Sequence, residues 1–88
     1  MCSENEIEML YELISSISNK DDCRVLFEDL CTYKEIDAMA QRLHAARLLM
    51  DGVTYEQIIE MTGISSATLS RVNKCVKYGA GYKKLLSK

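Results

Sequence analysis

Apolar side chains recur every three or four positions along most of the chain, which is the spacing that gathers them on one face of an α-helix. Strand-like alternation of apolar and polar residues is missing, and proline is absent. Polar pairs three residues apart, of the kind that cap helix starts, precede the first three apolar segments. These pairs are Ser3 with Glu6, Asn19 with Asp22, and Thr32 with Glu35. The pattern predicts an all-α chain.

The longest predicted helix follows Thr32 and carries one apolar line. That line consists of Ile36, Met39, Ala40, Leu43, Ala46 and Met50. Gly52 stands where a helix usually ends, because glycine adopts the left-handed turn conformation without steric cost. Gly79 and Gly81 break the chain again, ahead of a short terminal helix over residues 82–88. Together with two short helices over residues 54–78, these elements give about six predicted helices.

Residues 54–78 predict two short helices joined by a tight turn. Thr54 and Gln57 form a capping box for the first helix. Gly63 suits the turn, and Ser65 is a good N-cap for the second helix. Four apolar residues are spaced to pack the two helices against each other: Ile58, Ile64, Leu69 and Val72. This arrangement predicts a helix-turn-helix, the motif that offers its second helix to the major groove of DNA.

Polar and basic residues remain on the outward side of the second helix of this motif. Short side chains at its leading end let the backbone approach base edges, and basic side chains further along contact phosphates. The candidate DNA-binding residues are Ser65, Ser66, Ala67, Thr68, Ser70, Arg71, Lys74 and Lys77. On the first helix of the motif, we expect Glu56 to accept from a cytosine amino group or to face solvent.

The two ends of the chain differ strongly in charge. Residues 1–60 carry all 13 carboxylates and five of the 11 basic residues, which gives a net charge of −8. Residues 61–88 carry the other six basic residues and no carboxylate, so this segment is +6 although the whole chain is −2. A basic segment joined to an acidic body can bind phosphate locally. The alternative is a solvated C-terminal helix that is rich in lysine.

Length and composition restrict the class of protein. Eighty-eight residues predict one domain over residues 1–88, with neither an 18-residue apolar span nor a charged-then-apolar leader. The four cysteines have no spacing typical of zinc ligands, so we expect free thiols, no metal site and a cytoplasmic protein. No phosphate-binding glycine loop, paired carboxylates or nucleophile elbow is present, which argues against an enzyme.

The N-terminal helices carry apolar residues on more than one face, since Met9, Leu13 and Ile14 flank the main stripe. A surface helix of a monomer needs only one apolar stripe. The excess predicts burial on two sides, as in an intertwined homodimer. The second helix of each helix-turn-helix, the recognition helix, would then read one half of a palindromic operator. A more enclosed monomer core is the alternative.

Two segments of the chain, LFEDLCTYKEIDAMAQRL and GISSATLSR, carry a resemblance to a known family. Over about residues 7–86 the chain resembles the Trp repressor family, and most of all its YerC/YecD branch. The resemblance implies an interlaced, six-helix homodimer that binds operator DNA. In the tryptophan-regulated members of the family, the amino acid lies between the long helix and the recognition helix.

The resemblance also implies an effector pocket. Arg42 and Arg71 match arginines on the two sides of the indole ring, and Thr32 and Thr68 match two further pocket positions. Two positions depart from the pattern: Val72 replaces a glycine that leaves room for the ligand, and Cys75 replaces a serine that helps to hold its amino group. The candidate pocket residues are Thr32, Arg42, Thr68, Arg71, Val72 and Cys75.

A valine side chain fills space, and a thiol is a poor hydrogen-bond partner, so we expect no cofactor and no response to L-tryptophan. As an alternative to ligand binding, Arg42 and Arg71 would pair with helix carboxylates or with phosphate.

Two classes of function remain. The first is a transcriptional regulator, a repressor by analogy, that binds double-stranded DNA as a homodimer with no membrane association. A response to an effector other than tryptophan is a variant of it. The second is a protein-interaction module that uses the helix-turn-helix surface. The acidic body of the chain and its modest net charge favour this second class, and so does Glu56, which replaces a basic residue of the tryptophan repressor.

Overall fold

The computed structural model describes residues 2–87, and this part of the chain forms six α-helices and no strands. The helices are α1 (Glu4–Ser15), α2 (Lys20–Leu30), α3 (Tyr33–Met50), α4 (Tyr55–Thr62), α5 (Ser66–Tyr78) and α6 (Gly81–Leu86). The predicted all-α class and helix number are confirmed. The terminal helix begins one residue earlier than predicted and ends at Leu86, and Lys88 lies outside the described residues.

Local hydrogen bonds at the helix starts agree with the sequence. Ser3 with Glu6 and Thr54 with Gln57 form complete capping boxes, and the Asn19 side chain accepts from the backbone N–H of Asp22 at 2.8 Å. Because each cap involves residues only three positions apart, the sequence is sufficient to specify it. The helix starts predicted from these pairs are confirmed.

The start of α3 is capped in the same way, by Thr32 and Glu35. The backbone N–H of Thr32 donates to Glu35 Oε1 at 2.8 Å, and the backbone N–H of Glu35 donates to Thr32 Oγ1 at 3.1 Å. These hydrogen bonds with Thr32 hold the pKa of Glu35 below its ordinary value. The contribution of these hydrogen bonds to the stability of the fold is therefore present above the ordinary carboxyl pKa, and it is lost as pH falls through the lowered pKa of Glu35.

The chain divides between Ile36 and Asp37 into two compact units. The first unit holds α1, α2 and the start of α3. None of its described residues is fully buried. Its large exposed apolar side chains are Ile7, Met9, Leu10, Tyr11, Leu13, Val25, Leu30 and Tyr33. Within this unit, the apolar residues of α1 and α2 lack the cover that a hydrophobic core provides.

The second unit holds the hydrophobic core. Its buried residues are Ala45, Ala46, Ile58, Ile64, Leu69 and Val72. The four core residues predicted for the helix-turn-helix are confirmed. On α3, by contrast, Ala46 is the only fully buried member of the predicted apolar line, and Leu43 is exposed. The buried face of α3 runs through Ala45 and Ala46, two small residues that a pattern of large apolar side chains does not reveal.

The turn of the helix-turn-helix is held by Gly63 and Thr62. Gly63 has a φ of 72°, the left-handed conformation predicted for it, and its N–H donates to the Ile59 carbonyl at 2.9 Å. The Thr62 hydroxyl donates to the Ile58 carbonyl at 2.7 Å and accepts from the Ile64 N–H at 3.2 Å. Gln41 Nε2 donates to the Thr62 carbonyl at 3.0 Å, which ties α3 to the turn.

Helix α5 packs against both α4 and α6. Tyr82 and Leu86 place α6 against the core of the second unit, whereas Leu85 points away from it and is exposed. None of the described helices combines the length and the apolar character needed to cross a membrane.

Candidate nucleic-acid interface

The leading end of α5 is fixed by the Ser65 cap. The backbone N–H of Thr68 donates to Ser65 Oγ at 3.2 Å, and Ser65 Oγ donates to Thr68 Oγ1 at 2.9 Å. Both hydroxyls are therefore engaged within the protein. Ser66 and Ser70 are exposed one turn apart on α5, and neither hydroxyl takes part in a hydrogen bond within the described residues. These two serine hydroxyls are therefore available to a ligand outside the chain.

Seven of the eight candidate DNA-binding residues are exposed, and Thr68 is half-buried. At 100° per residue, the buried Leu69 and Val72 define the inner side of α5. Ser66, Ser70, Lys74 and Lys77 lie on the opposite, outward side. The helix therefore presents a short polar leading end followed by basic residues, as the sequence predicted.

The charge of this surface is not neutralised by neighbouring carboxylates. Between Met61 and Ser87 the described chain contains no acidic residue, and the sole ion pair in residues 2–87 joins Arg24 to Asp21 on α2. The Lys83 ammonium donates to the backbone carbonyl of Lys77, which leaves its charge unpaired. An uncompensated cationic surface of this kind attracts phosphate.

An open pocket of about 390 Å³ adjoins this surface. It is lined by Arg42, Thr68, Arg71, Val72, Cys75 and Tyr82. Five of the six candidate pocket residues thus come together. The sixth, Thr32, is not part of the lining; it belongs to the first unit, where its hydroxyl accepts the capping bond from Glu35. Tyr82 is a pocket residue that the sequence did not indicate.

The two arginines of the pocket differ in burial but share a lack of partners. Arg42 is half-buried on α3 and Arg71 is exposed on α5. No carboxylate forms an ion pair with either guanidinium within residues 2–87, so pairing with helix carboxylates, one alternative drawn from the sequence, is not found. Val72 contributes a side chain that is only 2% exposed, so the valine fills space at the helix surface.

Helix α4 presents a different surface. Glu56, Ile59, Glu60 and Met61 are all exposed, and Met61 is 60% accessible to solvent. A shallow depression of about 630 Å³ lies beside them, lined by Val53, Gln57, Glu60 and Met61. This surface is acidic and apolar, in contrast to the basic outward side of α5.

The described residues contain no group of three or more acidic, histidine or cysteine side chains that could hold a metal ion. Cys2, Cys23, Cys31 and Cys75 are free thiols.

Comparison with known proteins identifies the family. The sequence model described as Trp repressor protein matches residues 5–88. The chain belongs to the Trp repressor family. YerC, an uncharacterized protein of Bacillus subtilis strain 168, is 46% identical over 74 residues, which cover 84% of this chain and 71% of YerC. The resemblance to the YerC branch is confirmed.

Two solved structures share the Trp repressor-like fold. One, from Staphylococcus aureus and described as a candidate Trp repressor, superposes with a TM-score of 0.87 at 32% identity and covers 96% of this chain and 84% of its own. The other is a TrpR-like protein from Eubacterium eligens, with a TM-score of 0.86 at 36% identity. That match covers 97% of this chain and 93% of the other chain. The Trp repressor-like fold is therefore confirmed.

Proposed function

We propose that the chain is a sequence-specific transcriptional regulator, a repressor by family analogy, which binds double-stranded DNA through its helix-turn-helix in the cytoplasm. The observation that carries this proposal is the outward side of α5, where exposed small polar residues are followed by Lys74 and Lys77, neither of which forms an ion pair with a carboxylate within residues 2–87. Base edges require close approach of a helix, and phosphates require unpaired cations. This side of α5 offers both.

The proposed regulator acts as a homodimer. The first unit has no fully buried described residue and exposes eight large apolar side chains. Eight large exposed apolar side chains in one unit are unusual for a monomer and are typical of a protein interface. A second copy would cover it and would place two recognition helices about 34 Å apart, the spacing of successive major grooves on a palindrome.

The regulator is proposed to act without L-tryptophan. The buried Val72 side chain occupies the helix surface where the tryptophan-regulated members leave room, and Cys75 offers a thiol in place of a hydroxyl. A site built to hold an ammonium group loses affinity when its acceptor becomes a weak one.

Lys74→Ala tests the phosphate contacts. The variant should weaken binding to every DNA sequence to a similar extent, because a phosphate contact carries no base information. In a homodimer two contacts are lost, so the slope of log K against log salt should become less steep by about 1.8. Fluorescence anisotropy with one duplex at several salt concentrations measures this slope. Lys20→Ala, at an exposed lysine of α2, should leave it unchanged; equal slopes for all three proteins would contradict the assignment of Lys74.

Ser70→Ala tests base recognition. Ser70 is exposed on the outward side of α5, whereas the Thr68 hydroxyl is already bonded to Ser65. Removing a single base-reading hydroxyl should cost about 0.5–1.5 kcal/mol of discrimination at one operator position, with little change in salt dependence. Competition between the preferred duplex and single-base variants measures the loss. An unchanged ranking of the duplexes would exclude Ser70 from base recognition. Thr68→Ala should have a smaller effect, because the Thr68 hydroxyl already accepts from Ser65.

A protein-interaction module is the second candidate function, favoured by the surface of α4. Ile59 and Met61 are exposed beside Glu56 and Glu60, a combination that repels phosphate and suits a basic, apolar partner. Under this second candidate, Lys74→Ala and Ser70→Ala would leave DNA binding unaffected, which separates it from the regulator.

A further inference from the structure

The pocket and the proposed DNA surface share one residue of α5. Thr68, Arg71, Val72 and Cys75 follow the spacing i, i+3, i+4 and i+7, which places them on one side of the helix, and all four line the pocket. Arg71 stands at the edge of this side, next to the outward side that carries Ala67 and Lys74. One guanidinium can therefore serve either the pocket or the DNA surface.

The polar lining of the pocket is cationic. Arg42 and Arg71 supply two guanidinium groups, neither of which has an ion-pair partner in residues 2–87, and no acidic residue lines the pocket. Its other polar groups are the hydroxyls of Thr68 and Tyr82 and the Cys75 thiol, and the Thr68 hydroxyl already accepts from Ser65. An ammonium group would meet two positive charges and no carboxylate. A ligand with two negative charges and no ammonium would match this lining.

We propose that this pocket binds a compact organic dianion, a phosphate monoester or a dicarboxylate, held between Arg42 and Arg71 with the Tyr82 ring as an apolar wall. A volume of about 390 Å³ is within the range of small-ligand sites. Guanidinium groups bind both phosphate and carboxylate through paired N–H donors, so the two ligand classes share this chemistry.

Occupancy of the pocket weakens DNA binding, and this part of the inference rests on the proposed function. A dianion paired with Arg71 removes that cation from the phosphate-binding surface and adds negative charge beside it. By linkage, DNA lowers the affinity for the dianion by the same factor. The ligand would thus release the protein from DNA, which is the opposite of a co-repressor.

Ligand binding is tested first without DNA, on the uniformly ¹⁵N-labelled full chain. Inorganic phosphate, succinate and L-tryptophan are titrated separately at constant ionic strength, with chloride as the balancing anion, and the Arg side-chain N–H signals are followed by NMR. Phosphate or succinate should bind, and Arg42→Gln should weaken that binding by at least about tenfold. Arg47→Gln, at an exposed arginine of the same helix, should leave the dissociation constant unchanged.

The relative affinity for the two dianions identifies the class of ligand. Tighter binding of phosphate indicates a phosphate ester, and tighter binding of succinate indicates a dicarboxylate. The pocket assignment is overturned if neither dianion binds better than chloride, if Arg42→Gln and Arg47→Gln behave alike, or if tryptophan binds more tightly than both dianions.

Coupling is tested by DNA affinity with and without the bound dianion, again at constant ionic strength. Saturating dianion should weaken DNA binding at least threefold in the unmodified protein and in Arg47→Gln. In Arg42→Gln, the dianion should leave the DNA affinity unchanged. An unchanged or strengthened DNA affinity overturns the regulatory part. If no DNA is bound under any condition, the proposed function and this coupling both fail, while the titration without DNA still decides the pocket.

Discussion

Leu69→Ala should lower the free energy of unfolding by about 2–5 kcal/mol. Leu69 is 0% exposed on α5, inside the core that also contains Ala45 and Ile58. Truncating it removes buried apolar area and leaves a cavity, because helices held on several sides cannot collapse fully. A domain of this length has a total stability of about 4–13 kcal/mol, so the loss is a large share. Urea unfolding followed by circular dichroism, at fixed protein concentration, measures it.

Leu85→Ala is the matched control for this prediction. The same side chain is removed, but Leu85 is 76% exposed on α6 and does not belong to the core. Its substitution should change the free energy of unfolding by no more than about 0.5 kcal/mol. Similar losses in the two variants would contradict the placement of the core between α3, α4 and α5.

Met9→Glu combined with Leu13→Glu should dissociate the proposed dimer. These residues are one helical turn apart on α1 and are 68% and 50% exposed in the single chain. On a monomer surface the two changes would be nearly neutral. In a dimer interface they bury four carboxylates per dimer, and a cost of several kcal/mol weakens self-association by at least about 1000-fold. Sedimentation velocity over a range of concentrations measures this change.

The control is Glu8→Gln with Glu12→Gln, at exposed positions of the same helix and at the same spacing. This pair should leave self-association intact. The dimer proposal is wrong if the unmodified protein sediments as a 10.0 kDa monomer, or if the glutamate variant self-associates as strongly as the unmodified chain. Under the dimer proposal, the glutamate variant should also lose most of its operator affinity, because each half-site alone makes only half of the contacts.

Helix boundaries and caps could be predicted because they depend on neighbours in sequence. The Thr54–Gln57 capping box, the Ser65 cap and the left-handed Gly63 each involve residues within four positions of one another. The packing of α4 on α5 could also be predicted from the sequence, because the chain has apolar residues at helical spacing at Ile58, Ile64, Leu69 and Val72. Local physics and the hydrophobic pattern point to the same fold here.

The candidate pocket was harder to predict from the sequence, because it joins residues up to 40 positions apart, from Arg42 to Tyr82. Five of its six lining residues were expected only through the family resemblance. Tyr82 was missed because its place depends on how α6 packs, which neither the periodicity nor a cap specifies. The buried side of α3 at Ala45 was missed for a related reason: alanine becomes a core residue only where another helix approaches closely.

Selection of random duplex DNA by the purified protein tests whether the protein recognises a DNA sequence. It would be run at about 150 mM salt, where weak non-specific contacts are largely screened, in two arms with and without L-tryptophan. A sequence-specific regulator that acts without tryptophan should enrich a palindromic motif equally in both arms. Enrichment that requires tryptophan, or binding without any enriched sequence, would contradict the proposed function.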